Sequence, residues 1–325
     1  MIDTRIGNPE FMKPYWQASE ETFPGLNVPV SRGMRYDRSP EERQLKEEIV
    51  RIHQNIKNVA NPGSYEIVIG CGATQLLAAA LYTAKRSGID EVYARPPYYF
   101  RFPFMADAAG LTLTGSGIGI RARPHAEIIT VPSNPDNVVY EQSDLAFPIF
   151  DLCYNWPQYG QVIARDDDLM IYGMSKATGH SSCRIGWALV KDKSVAEQMR
   201  FYIEIASGGS SIESLIHAKM ILSDQSHLYD EGSETDSVFE YGKEILNDRW
   251  EQIKALDVPC LEVLNTSGMF LWATYKDGMA SLRQDTQIHG TDGSLCGGSS
   301  KHVRISIGGS NENFREVINS FKGLE

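Results

Sequence analysis

Lys176 lies in the run Ile171-Tyr-Gly-Met-Ser-Lys-Ala-Thr-Gly-His180, and eight residues further on Arg184 opens Arg-Ile-Gly-Trp-Ala-Leu-Val190. An amine at the end of a strand-like run can condense with an aldehyde to form a Schiff base. Ser175 and Arg184, on either side of it, can hold a phosphate group. Alone the Ser-Lys pair says little, because most lysines are solvated surface charges. Its weight comes from stretches elsewhere in the chain.

Gly70-Cys-Gly-Ala-Thr-Gln75 joins a strand to a helix. Glycine there permits close backbone approach, and the free amides of a helix start can cradle a phosphate. The same residues would also serve an ordinary tight turn. Pro96-Pro-Tyr-Tyr-Phe100 follows the next strand. It offers either an aromatic that stacks on a planar ring or plain core packing. Ser133-Asn-Pro-Asp-Asn137 places Asn134 where its amide can donate to a phenolate-type oxygen, unless it is a simple Asn-Pro turn. Asn137 suits a left-handed backbone position. Asp151-x-x-Tyr154 ends an apolar strand, where a carboxylate is costly unless neutralised. A protonated pyridine nitrogen would neutralise it; a helix cap is the other use. Arg304, inside His302-Val-Arg-Ile-Ser-Ile307, could grip a carboxylate bidentately or sit on the solvent face of an edge strand. Each signal is ambiguous. Their joint order, each at a different strand end, is improbable by chance and points to pyridoxal 5'-phosphate held by Lys176.

Parallel sheets gather ligands at the C-terminal ends of their strands. The elements that would position these residues are apolar runs at Tyr65–Ile69, Glu91–Ala94, Ile128–Val131, Ala146–Phe150, Leu169–Tyr172 and Gly186–Val190. Helical patterns alternate with them over Thr74–Lys85 and Val195–Ile205, which predicts an α/β fold with a mostly parallel central sheet. A charged helix is expected over Glu41–Ile56 and a long one over Val238–Leu256. Strands are expected over Gly268–Tyr275 and His302–Ile307, then a helix over Asn311–Phe321 with Asn311 as its cap, forming a smaller α+β unit. Residues 290–300, Ser207–Ser211 and 224–237 read as loops. The expected division is a large domain over 41–237 and a small domain made of 1–40 and 238–325.

The 325 residues are 42% hydrophobic, enough for a substantial core, and the net charge of -11 argues against a nucleic-acid or anionic membrane surface. No apolar stretch approaches the ~20 residues needed to span a bilayer. The N-terminus lacks the basic-then-apolar order of a secretory signal. The five cysteines are scattered, with no Cys-x-x-Cys pair, which suits reduced thiols in a cytoplasmic protein rather than disulfides or a metal site. Cysteine chemistry is not expected.

The block Ser175-Lys-Ala-Thr-Gly-His-Ser-Ser-Cys-Arg-Ile-Gly-Trp-Ala-Leu-Val-Lys-Asp192 resembles the alliinase and plant tryptophan aminotransferase family, within the fold-type-I (aspartate aminotransferase-like) pyridoxal-phosphate enzymes. Ile6-Gly-Asn-Pro-Glu-Phe11, Gly72-Ala-Thr-Gln-Leu-Leu77 and Gly290-Thr-Asp-Gly-Ser-Leu295, leading into Val303-Arg-Ile-Ser306, agree with it. The resemblance implies that Lys176 forms the internal aldimine and shuttles the substrate proton. It implies that Asp151 pairs with the ring nitrogen, that Asn134 and Tyr154 bond the ring hydroxyl oxygen, and that Tyr99 rather than Tyr98 stacks on the ring. Gly72, Ala73, Thr74, Ser175 and Arg184 would hold the phosphate, with Tyr36 from a second subunit. Arg304 would bind the substrate carboxylate, helped by Asn134 and the backbone at Gly7. A homodimer with shared active sites is implied.

The chain departs from the family pattern at Asn8, Asn137 and Ser182-Cys183, and a cysteine-rich module like that of alliinases is not expected. The favoured activity is transamination from an L-amino acid, aromatic and tryptophan-like, to a 2-oxo acid. A C–S β-lyase acting on S-substituted cysteines is the alternative, and a non-catalytic cofactor-binding relative is a third.

Overall fold

The computed structural model describes residues 1–19, 37–115, 124–139, 146–228 and 237–324. Tyr36, expected at the phosphate, lies outside them. The chain begins with β1 (Ile2–Asp3) and α1 (Lys13–Ser19), then α2 (Ser39–Ile56). The central part alternates β2 (Glu66–Gly70), α3 (Ala73–Arg86), β3 (Glu91–Ala94), α4 (Phe102–Ala108), β4 (Thr112–Thr114), β5 (His125–Thr130), β6 (Ala146–Asp151), β7 (Leu169–Gly173), α5 (Met174–Ala177) and β8 (Gly186–Val190). Helices α6 (Lys193–Ser207), α7 (Ile212–His227) and α8 (Val238–Lys254) follow. The chain closes with β9 (Leu261–Val263), β10 (Phe270–Tyr275), α9 (Met279–Thr286), β11 (Ile288–His289), β12 (Thr291–Asp292), β13 (His302–Ser306) and α10 (Asn311–Lys322).

Strands β2 to β8 form one seven-stranded sheet in the order β2-β8-β7-β6-β5-β3-β4. Only β8 runs against its neighbours; the other pairings are parallel. Alternating side chains divide the core in two, as the period of a strand requires. Val68, Ile128, Ile149, Ile171 and Ala188 face α3, α4 and α6. Ile67, Ile129, Phe150, Tyr172 and Trp187 face the other way, into a larger cluster with α2, α7 and α8. That cluster continues into Leu271, Ala273, Val303 and Ile305 of an antiparallel sheet ordered β12-β13-β10-β9. Strand β1 pairs with β11, which ties the N-terminal segment to the C-terminal third.

The expected strands and helices are present, with ends shifted by at most three residues. Several elements run against the expectations. Helix α7 occupies a stretch for which no helix was expected; it buries Gln225 and Ser226 as well as apolar residues, so its pattern is hard to read. It also carries the helix to His227, inside the expected 224–237 loop. The expected loop at 290–300 holds β12 and a 3₁₀ turn, Gly293–Cys296. Ser310, not Asn311, caps α10: its side chain accepts from the Asn313 amide. Among the described residues, no helix is long and apolar enough to cross a membrane.

Candidate active site

The sites come from the C-terminal ends of β2, β3, β5, β6 and β7, because those strands run parallel and end on one edge. Two neighbouring patches result. The first begins at the turn after β2. Gly72 has φ 82°, and a Cβ there would collide with the Arg184 guanidinium. Gly186 lets this turn press onto the sheet: a Cβ would lie 2.6 Å from the Ala73 nitrogen. Ala73 and Thr74 open α3, so their amides have no intrahelical acceptor. Arg184, itself left-handed at φ 52°, spans the turn by donating to the Ser181 carbonyl at 2.9 Å and the Cys71 carbonyl at 3.2 Å. Ser175 is the second residue of the short α5 beside it, and Gly173 brings that strand end against Ala73. An exposed cation over helix-start amides is an anion site.

The second patch centres on Lys176. Its Nζ donates to the Gly7 carbonyl and lies 5.9 Å from the centre of the Tyr154 ring. Tyr159 Oη donates to the Lys176 carbonyl at 3.0 Å, and Gln158 Nε2 donates to it and to the Ala177 carbonyl at 2.9 Å each, which fixes the segment carrying the amine. Burial lowers the Lys176 ammonium to about 8, and the Arg304 charge pushes the same way. An amine in that range is nucleophilic near neutrality. Gly7 is glycine for a local reason: a Cβ would meet the Phe270 ring at 2.6 Å.

Asp151 is 5% exposed at the tip of β6, and no ion pair reaches it among the described residues. Burial raises its carboxyl, and the Cys153 amide, which donates to Oδ1 at 3.3 Å, opposes that only in part. Asn134 Nδ2 donates to Tyr154 Oη at 3.1 Å, while its Oδ1 accepts from Arg304 at 3.1 Å. Arg304 also donates to the Arg5 carbonyl at 2.9 Å and to Thr291 Oγ1 at 3.1 Å. Its Nε is buried without a partner, and its guanidinium lies 5.0 Å from the Phe100 ring centre and 4.5 Å from that of Phe270. The Tyr99 phenol is within electrostatic reach of Asp151 and Arg304. Tyr98 instead packs against Gly297, its amide bonded to the Cys296 carbonyl at 2.9 Å.

The structure therefore brings Lys176, Asp151, Tyr154, Asn134, Arg304, Gly7 and Tyr99 together, with Gly72, Ala73, Thr74, Ser175 and Arg184 in the adjoining patch. These residues fit pyridoxal phosphate. A buried carboxylate without a cation suits a protonated ring nitrogen, the amine suits the aldehyde, and the glycine-permitted cradle under Arg184 suits the phosphate. Asn137 takes the left-handed conformation at φ 59° and bonds Ser267 Oγ at 2.8 Å, joining the loop after β5 to the segment before β10.

Sequence reading passed over Phe100, Phe270, Thr291, Arg5, Thr130 and Cys153. Phe100 and Cys153 lie inside motifs already singled out, so adjacency was the available signal. Thr291 lies inside the Gly290–Leu295 stretch, whereas Arg5, whose carbonyl accepts from Arg304, carries no signal.

The protein-family model described as Allinase matches residues 2–325. Tryptophan aminotransferase-related protein 2 of Arabidopsis thaliana is 30% identical over 97% of this chain and 79% of its own length. Alliin lyase 1 of Allium sativum is 25% identical over 99% of this chain and 74% of its own. Among solved structures, a Thermus thermophilus aspartate aminotransferase mutant superposes with TM-score 0.73 at 18% identity, covering 100% of this chain and 96% of that one. The N-succinyldiaminopimelate aminotransferase of Mycobacterium tuberculosis gives 0.73 at 17% identity, over 100% and 93%. The fold is that of the aspartate aminotransferase type.

Proposed function

Because the chain belongs to the alliinase family, whose members depend on pyridoxal phosphate, we propose that it is an aminotransferase moving the α-amino group of an L-amino acid, aromatic and tryptophan-like, to a 2-oxo acid. The observation that carries this reading is Arg304: a buried guanidinium with only neutral partners, bonded through Asn134 to the tyrosine over which the Lys176 amine sits. That arrangement fits the carboxylate of an amino acid whose α-carbon lies near the lysine.

Bound pyridoxal phosphate supplies an aldehyde that captures the substrate amine and a ring that takes up the electron pair left by the α-proton. The chain's residues do the rest. Lys176 takes that proton and returns it, its lowered basicity suiting both directions near neutral pH. Asp151 would hold a proton at the ring nitrogen. Asn134 and Tyr154 would hold the ring hydroxyl oxygen, with Tyr99 against the ring. Gly72, Ala73, Thr74, Ser175 and Arg184 would hold the phosphate. Phe100 and Phe270 keep water from Arg304, which strengthens its hold on the carboxylate.

The alliin lyase relatives support the second reading, a C–S β-lyase acting on S-substituted cysteines. One experiment separates the two. Tryptophan added to the holoprotein should bleach its visible band, and a 2-oxo acid should restore it. Pyruvate released from an S-alkyl cysteine with no oxo acid present, while tryptophan leaves the band unchanged, would replace transamination with elimination.

We also propose that the enzyme works as a homodimer. An apolar groove of about 520 Å³, lined by Tyr82, Phe104, Met105 and Tyr202, runs to Thr74 and Phe100 beside the site. On α6, Phe201 and Ile205 are 53% and 63% exposed. A face of that character adjoining the site suits a second copy of the chain. Sedimentation should give a dimer, and Phe201→Asp with Ile205→Asp should give a monomer with weakened cofactor binding.

A further inference from the structure

We infer that Thr291 is a positioning residue: its hydroxyl holds the Arg304 guanidinium in place for the carboxylate of the amino-acid substrate. The inference rests on the carboxylate reading of Arg304 given above. Thr291 and Arg304 face each other across the antiparallel pair of β12 and β13. Strand β12 is only two residues long, and the chain is constrained on both sides of it. Before it, a Cβ on Gly290 would lie 2.5 Å from the Arg304 carbonyl oxygen, so glycine lets the chain press against β13. After it, the Asp292 side chain accepts from the Ser294 amide at 2.8 Å and caps the 3₁₀ turn Gly293–Cys296. Held between these two, Thr291 is buried, and its Oγ1 accepts from Arg304 Nη2 at 3.1 Å.

A guanidinium carries its N–H donors on a long, flexible stem. Here Nη2 spends both of its hydrogens, on Thr291 and on the Arg5 carbonyl at 2.9 Å, and Nη1 spends one on Asn134 Oδ1 at 3.1 Å. These oxygens come from β12, the N-terminal segment and the loop after β5, so together they fix both the position and the plane of the group. Nε and the second Nη1 hydrogen are left unspent, and Nε is buried. Asn134 is shared with Tyr154, and Arg5 contributes only its backbone. The Thr291 hydroxyl serves Arg304 and, among the described residues, nothing else. A cation ordered in advance gives up less freedom when the carboxylate arrives.

The holoprotein tests this with two ligands that differ in the carboxylate alone. Tryptophan offers one to Arg304; tryptamine, the same amine without it, does not. Thr291→Val removes the oxygen and keeps the branched shape. It should raise the tryptophan concentration that half-changes the visible band by about tenfold, and that of tryptamine by less than about twofold. Thr291→Ser, which keeps the oxygen, should bring tryptophan back to within about twofold of the wild type. Thr291→Ala makes the same comparison should valine not fold. Equal losses for both ligands would make Thr291 a strand residue and nothing more, and so overturn the inference; an unchanged tryptophan response would overturn it too. A wild-type band that ignores tryptophan but answers S-ethylcysteine overturns the aminotransferase reading instead. S-ethylcysteine and its decarboxylated amine then form the matching pair, and the ratio between them decides the role of Thr291 by itself.

Discussion

His53 and Arg304 are both withdrawn from solvent, at 0% and 1% exposure, yet the groups around them differ in kind. His53 Nδ1 lies 2.6 Å from Asn58 Oδ1, its Nε2 accepts from Trp187 at 2.8 Å, and Asn58 in turn donates to the Asn155 carbonyl at 2.9 Å. The ring is neutral and complete: burial lowers it to about 4, and every nitrogen has a partner. Arg304 keeps its charge among neutral oxygens, with one nitrogen unmet. A buried polar group with all its bonds made is architecture; a buried cation without an anion is a place for one. Arg249 marks the boundary between the two cases. It is as buried as Arg304, but it is spent on the Ile307 and Gly309 carbonyls and on Asn311 at the start of α10.

Lys176→Ala should cut turnover by ~10³-fold or more with little change in melting temperature, since it removes the amine and no core contact; normal turnover would remove Lys176 from the chemistry. Next, Arg304→Ala should lower kcat/KM by roughly 10² to 10³, mostly through KM, with the cofactor spectrum intact. Unchanged kinetics would put Arg304 with Arg249, among the structural cations.

On the other side of the comparison the effect should fall on stability alone. His53→Leu should cost about 2–4 kcal/mol in urea unfolding, because it strands Asn58 and the Trp187 N–H, while the visible band stays in place.

The pH dependence sharpens the same contrast. The native state refuses the His53 proton down to about pH 4, whereas the unfolded chain takes it up near 6.5. The stability it contributes is complete above about pH 6.5 and is lost as the pH falls towards 4, by up to about 3 kcal/mol. His180, lowered to about 4 by burial and by His217, adds a slope of the same sign. Unfolding curves between pH 7 and 4.5 should therefore flatten, but not level, in His53→Gln. An unchanged slope would mean that His53 is protonated in the native state.

Much of this was legible beforehand. The apolar runs of the central sheet stand out because strands buried on both faces read as continuous hydrophobic stretches. Lys176, Asp151 and Arg304 stand out because charged residues in or beside such runs need a reason. Other features left no trace. Helix α7 buries Gln225, whose amide and carbonyl serve Tyr15 and Val238, so a polar residue stands where an apolar one would mark the helix face.

From its residues alone this chain determined an α/β architecture and marked Lys176, Asp151, the turn at Gly72 and Arg304 as candidates, since these follow from residue type and strand periodicity. The tertiary structure decided their company. Lys176 meets Gly7 across 169 positions, and Arg304 meets Asn134 across 170 and Arg5 across 299. No local pattern encodes pairs so distant. They exist because a parallel sheet ends its strands along one edge, and because β1, paired to β11, carries the first residues of the chain back over that edge.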